Sequence, residues 1–423
     1  MILAGVAISL ATGQNSIFSK ANNAATKWNT AVGKESNTIK NILEITDKVT
    51  GAGDDDIIYV GDVPIPEGYK VSQIDSEDSV LEGLVIYEIL EKAEVEWKQD
   101  ETDGTNESTI TIGEETTNLQ ETVNQYVWIP VEDINDMVMC ESNNKLPEGE
   151  ENKICNIELV DNEETGEKVL KCTNPDYSTT ATNLVGRLYI GSNTNTTDSK
   201  GNRIYSYIMK FTNEDGSPVR DQTYDENGYH EPDTVNADSS NSLELTQLQN
   251  EFKLMATSVA RYGGFYISRY EIGEGGNSKK GQIVLTTSST TGNNYLGANK
   301  WYGLYNTIKN SGANKQMIWG CQYDQVIKFI GEQAQVGHSD RKLTEDHALS
   351  GQNELDCMNN IYDLEGNYNE WTAESTSASS RVFRGDYYGS VNFGSFNPAS
   401  AHSSSSTTSS NNSYYSSRST LYL

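Results

Sequence analysis

Apolar and polar positions change rhythm twice along the chain. After the Gly13-Gln14-Asn15 break, Ser16 is placed to cap a helix, and Ile17, Ala21, Ala24 and Trp28 follow at spacings of 4, 3 and 4. Ile39, Ile42 and Leu43 continue the stripe, so the spacing predicts one long amphipathic helix within residues 1–48. From Gly51 to about Asp176 the pattern becomes short β-like runs, Ile57 to Val60, Gly83 to Tyr87 and Tyr126 to Ile129, separated by Asp, Glu, Asn and Gly. Past residue 180 the runs turn aromatic: Gly186 to Ile190, Arg203 to Ile208 and Gly263 to Ile272. One segment there, Tyr323 to Ile330, has helical spacing through Val326, Ile327 and Ile330, with Trp319 placed to anchor its start. Few helices among many short strands predict an irregular α+β fold.

These rhythms divide the 423 residues into a helix at 1–48, an acidic β-rich spacer at 49–122 and a large domain at 123–423. The large domain carries insertions at about 140–180 and 210–250. Composition sharpens the division, because the formal charge of -30 is concentrated. Residues 51–180 hold 33 acids and 7 bases, residues 1–50 net +2, and residues 181–423 net -6. A field of that sign repels phosphate backbones, which removes nucleic acid from the expected partners. Asp54-Asp55-Asp56 lacks the alternating oxygen ligands of a calcium loop and reads as a solvated turn.

Five cysteines without a C-x-x-C pair, and four histidines without helical ligand spacing, leave little to build a zinc hydrolase. Cys140, Cys155 and Cys172 lie in a loop-rich part, where a disulfide between two of them and three free thiols are both open readings.

Three stretches carry resemblances. The run from Leu3 to Asn29, LAGVAISLATGQNSIFSKANNAATKWN, resembles the end of the amino-terminal hydrophobic helix of type IV pilin-like surface proteins of Gram-positive bacteria. Met1 to Ala11 is about half the length of the roughly 20 apolar residues a spanning helix needs, so the resemblance implies a chain that begins inside that helix. A soluble helix packed on its own core is the alternative. Further on, Tyr362-Asp363-Leu364-Glu365-Gly366-Asn367-Tyr368-Asn369-Glu370-Trp371-Thr372 and Arg381-Val382-Phe383-Arg384-Gly385-Asp386 resemble two motifs of the formylglycine-generating enzyme (sulfatase-modifying factor) version of the C-type lectin fold. Asp386 departs from the second motif, which has Gly there. Tyr126 to Val131 is similar to the opening strand of that family. The residues themselves suggest structural roles: a φ > 0 turn at Gly366-Asn367, a pair between Glu370 and a buried arginine such as Arg384, and Trp371 in the core. Arg381, Gly385 and Arg418 belong to the same framework. Enzymes of the family hold copper through a cysteine pair after the second motif, and residues 385–423 contain no cysteine. The resemblance therefore implies the fold without the oxidase chemistry, and no cofactor is expected. Calcium is the ion such folds often hold, with no ligand set assignable here.

The third resemblance lies in the tail. Between Tyr387 and Ser419, 23 of 33 residues are Ser, Tyr, Asn or Thr. Tyrosine supplies contact area at low rotamer cost while Ser and Asn supply adaptable hydrogen bonds, the alphabet of antibody loops. The segment is bracketed by Arg381 to Asp386 and by Arg418 to Leu423, which alternates like a final core strand. Residues 387–417 resemble the variable region of ligand-binding proteins diversified by retroelements, whose mutagenesis at adenines turns Asn codons into Ser, Thr, Tyr, Asp, Gly or His codons. The candidate contact residues are Tyr387, Tyr388, Asn392, Phe393, Phe396, His402, Asn411, Asn412, Tyr414 and Tyr415. The expected function is a cell-surface, extracellular binding protein for a protein or glycan ligand on another cell or phage, with pilus subunits as partners of the first helix. The alternatives are an enzyme of the formylglycine-generating type and a structural pilus or envelope subunit.

Overall fold

The structure is a computed structural model. It describes residues 57–89, 92–98, 107–140, 157–162, 168–172, 184–186, 189–197, 203–209, 229–230, 242–243, 245–286, 300–334, 336–341, 349–377, 380–388, 397–406 and 414–423. The predicted amino-terminal helix and Asp54 to Asp56 lie outside the described residues. The chain forms two compact units, Met1–Glu67 and Gly68–Leu423. In the first, Ile58–Val60 and Val63–Ile65 make an antiparallel hairpin.

In the second unit the framework elements in chain order are β1 (Tyr69–Val71), β2 (Val85–Glu88), β3 (Gln125–Pro130), α1 (Leu245–Tyr262), β4 (Gly264–Ser268), α2 (Lys300–Asn310), β5 (Lys315–Met317), α3 (Gly320–Ile330), β6 (Asn369–Ser377), β7 (Ser380–Arg384), β8 (His402–Ser406), β9 (Tyr415–Ser417) and β10 (Ser419–Leu421). A six-stranded sheet runs β5-β10-β4-β3-β2-β1, and every neighbouring pair in it is antiparallel. A four-stranded sheet runs β8-β7-β6-β9, with β9 parallel to β6 and the other pairs antiparallel. Helices and antiparallel strands together make the fold α+β. Among the described residues no helix is long and apolar enough to cross a membrane.

The helices form because each carries a stripe to bury. In α1, Leu248, Phe252, Met255, Ala256 and Val259 fall at intervals of 4, 3, 1 and 3, and all are buried. In α2, Trp301, Leu304, Tyr305 and Ile308 do the same, with the Trp301 and Tyr305 rings stacked 5.3 Å apart. Helix α3 is buried nearly all round. Trp319 caps it as expected: its backbone N–H donates to Oε1 of Gln322 at 3.1 Å, and its indole packs edge-on against Phe252 at 5.1 Å. The spacing predicts helices only at the amino terminus and over Tyr323 to Ile330, so α1 and α2 are helices the sequence reading missed. One main core takes in the three helices and the strands β2, β3, β4 and β6.

The boundary expected between spacer and domain at residues 122 and 123 is corrected. Strands β1 and β2 lie before it and extend the large sheet from β3, with Val85 and Tyr87 in the main core. The reason is packing: Leu84 to Tyr87 is buried on both faces, which a solvated spacer strand would not be. The acidic section also supplies a core ion pair. Glu77 Oε1 meets Arg269 Nη2 at 2.6 Å, and its other oxygen accepts from the hydroxyls of Ser72 at 2.7 Å and Tyr87 at 2.8 Å. Removing one partner of such a buried pair strands the other charge at about 3–5 kcal/mol, whereas surface changes stay within about 0.5 kcal/mol. Glu77→Ala is therefore expected to cost the full chain about 3–5 kcal/mol in urea unfolding. A loss within about 0.5 kcal/mol would return this section to the status of a spacer.

Candidate functional site

The two motifs become β6 and β7, and the residues between and after them organise a buried charge network. Arg418 stands at its centre because of where it lies in the chain, between β9 of the small sheet and β10 of the large one. Its Nε donates to Glu370 Oε1 at 2.5 Å, its Nη1 to the carbonyls of Ser268 and Arg269 at 3.2 Å each, and its Nη2 to the carbonyl of Tyr362. The partner expected for Glu370 is thus corrected. Arg384 is the cross-strand neighbour of Glu370, yet its guanidinium reaches Asp324 of α3 at 2.7 Å and Glu374 at 3.5 Å, and lies 5.1 Å over the Tyr323 ring. With α3 supplying two acceptor surfaces to Arg384, Glu370 is left to the arginine arriving at the switch between sheets. Arg381 is buried with its guanidinium 4.8 Å over the Trp301 ring.

The expected φ > 0 turn at Gly366-Asn367 is also corrected. Positive φ in this loop falls on Asp363, at 62°, while Gly366 is needed for close approach: a Cβ there would lie 2.0 Å from the Arg341 carbonyl oxygen. Gly385 does need its conformation, with φ of 71° and a Cβ position 2.5 Å from the Leu364 carbonyl oxygen. Trp371 is fully buried as expected, edge-on to Phe383 at 5.7 Å.

Three buried acids crowd this network. Glu271 accepts from the Asn367 side chain at 2.7 Å and the Tyr368 N–H at 3.1 Å, and burial, with Asp363 and Glu370 nearby, pushes it well above the carboxylate range. Burial also pushes Asp363 up to about 6, against the hydrogen bond it accepts from the Gly351 N–H at 2.6 Å. Glu370 rises to about 7 through burial, against the pull of Arg418. Glu271 and Asp324 lie far from both motifs in the chain, and no local signal marks them as members.

Of the candidate contact residues, the structure brings three together. Tyr387 and Tyr414, from opposite ends of the tail, have rings 4.4 Å apart, and Tyr388 touches both, at 6.0 and 5.7 Å. Tyr387 and Tyr414 remain half-buried, whereas Tyr388 is 7% exposed and packs on Tyr368 and Val284. Burial, then Tyr414 and Asp386, raises the Tyr387 phenol, so it stays a protonated donor at neutral pH. Tyr415 is corrected from contact residue to core residue: it is 8% exposed, with its ring 5.1 Å from Trp371 and 4.9 Å from Phe383. The alternation of β9 points it opposite to Tyr414. His402 opens edge strand β8 opposite Arg384. Asn392, Phe393, Phe396, Asn411 and Asn412 lie outside the described residues.

Cys357, half-exposed, has its thiol pushed up to about 11 by burial, and Cys321 is buried beside α3 core residues; both are free. A thiol raised to that value is not a ready thiolate at neutral pH. The side chains of Cys140, Cys155 and Cys172 lie outside the described residues. Among the described residues no group of three or more His, Cys, Asp or Glu is placed to hold a metal ion.

No family model, curated protein or solved structure matches the chain.

The raised acids fix a pH dependence. Unfolded, Asp363 and Glu370 ionise near about pH 4; folded, they do so near 6 and 7, so the folded state holds extra protons between those values. Their stabilising contribution is complete below about pH 4 and is lost as pH rises through 6 and 7. Asp363→Asn keeps an acceptor for Gly351, tolerates the left-handed backbone and never ionises. Thermal unfolding should show the variant matching the parent at pH 4.5 and melting a few degrees higher at pH 8. A variant that melts lower at pH 8 would refute the assignment.

Proposed function

We propose that the protein is a surface-displayed binding protein whose carboxy-terminal domain, lectin-like in fold, presents its tail to a protein or glycan ligand on another cell or on phage. The observation that carries the reading is the meeting of Tyr387, Tyr388 and Tyr414. Two ends of a Ser- and Asn-rich segment bring their rings together on a framework of buried ion pairs. Half-buried tyrosines offer a wide amphipathic contact with two hydroxyl donors and little rotamer entropy to lose, which suits macromolecular recognition. Retroelement diversification of residues 387–417 is part of the proposal, and it requires a DNA near-repeat differing at adenines beside a reverse transcriptase gene. Anchorage through a pilin-like first helix belongs to it as well.

The test is the double variant Tyr387→Ala, Tyr414→Ala on a glycan array and on a panel of intact bacterial cells and phage. Interface tyrosines of this kind are worth about 2 kcal/mol or more each, so binding should fall at least tenfold while the melting temperature moves by only a few degrees. Binding that survives the double change, or a parent that captures nothing on any panel, would favour a structural envelope subunit.

A further inference from the structure

The tail is held to the framework by its main chain. Tyr388 N–H donates to the Asn367 carbonyl at 2.9 Å, the Tyr414 carbonyl accepts from Asn369 N–H at 2.8 Å, and the Ala401 carbonyl accepts from Gly385 N–H at 3.1 Å. The Asp386 side chain joins residues 387 and 397. Its Oδ1 accepts from Tyr387 N–H and its Oδ2 from Asn397 N–H, each at 2.9 Å, and the residue is 3% exposed. A carboxylate can do this because both oxygens accept and none donates; an amide or hydroxyl offers one acceptor oxygen at most. Joining residues 387 and 397 at one acceptor group removes conformational freedom from the chain between them. Gly385 places the carboxylate: with φ of 71°, the chain turns against Leu364 where no side chain would fit.

We propose that Asp386 is a positioning residue that clamps residues 387 and 397 through their backbone N–H groups, so the orientation of the tyrosine face is set by bonds that do not depend on which side chains the loop carries. This rests on the binding reading for its purpose, but the clamp is measurable without any ligand. It also explains why the position departs from the glycine of the motif it resembles: glycine there would leave both N–H groups without this acceptor.

The experiment is amide hydrogen exchange on the full chain, comparing the parent with Asp386→Asn, Asp386→Ser and Tyr387→Ser. In both Asp386 variants the Asn397 amide should exchange at least about tenfold faster, while the β7 amides of Val382 and Arg384 keep their protection. Tyr387→Ser should leave Asn397 protection unchanged. The proposal is overturned if Asn397 exchange is unaltered in both Asp386 variants, if Tyr387→Ser releases it equally, or if the β7 amides lose protection together with Asn397. A parent that captures no ligand on the panel while its clamp is intact would count against the binding reading alone.

Discussion

Arg418 is the constraint on which the second unit depends. A buried guanidinium costs several kcal/mol to desolvate, and it is tolerable only where its donors all find acceptors. Here they find one carboxylate, on β6 of the small sheet, and three carbonyls, at the end of β4 in the large sheet and in the loop before β6. The chain crosses from one sheet to the other at this residue, with β9 before it and β10 after it. The crossing cannot slip by one residue, because a slip would turn the guanidinium to the opposite face and leave Glu370 buried without its cation.

The same logic repeats around it. Arg269 binds Glu77 and Tyr87, tying the acidic section to β4. Arg384 binds Asp324, tying β7 to α3. Each arginine joins segments far apart in sequence, so these pairs act as registry devices that specify which strands meet. The cost is an excess of buried acid, Glu271, Asp363 and Glu370, which the fold meets by keeping protons to higher pH. That network reaches the tail through Asn367, whose side chain bonds Glu271 and whose carbonyl receives Tyr388. A buried ion-pair base and a backbone grip thus hold the described ends of the tail to the framework.

The sequence determined a good deal by itself. Alternation and aromatic runs located β3, β4 and β10; the motif residues located Trp371, Gly385 and the buried arginines; the tail alphabet located Tyr387, Tyr388 and Tyr414. Each of these is a local signal, carried by residue type and spacing within a few positions. The stripes of α1 and α2 are equally local, at i, i+3 and i+4, and the sequence reading missed them.

What only the tertiary structure decided is pairing. Residue type makes Arg384 and Arg418 equal candidates for Glu370, and only the position of α3 gives Arg384 another partner. Spacing makes Tyr414 and Tyr415 equal candidates for contact, and only the parallel register of β9 on β6 turns Tyr415 into the core. The acidic β-rich spacer was set apart at residues 49–122, and only the tertiary structure placed Glu77 beside Arg269. In each case the deciding energy is desolvation, which depends on what lies opposite a residue in space and is therefore absent from any local reading of the chain.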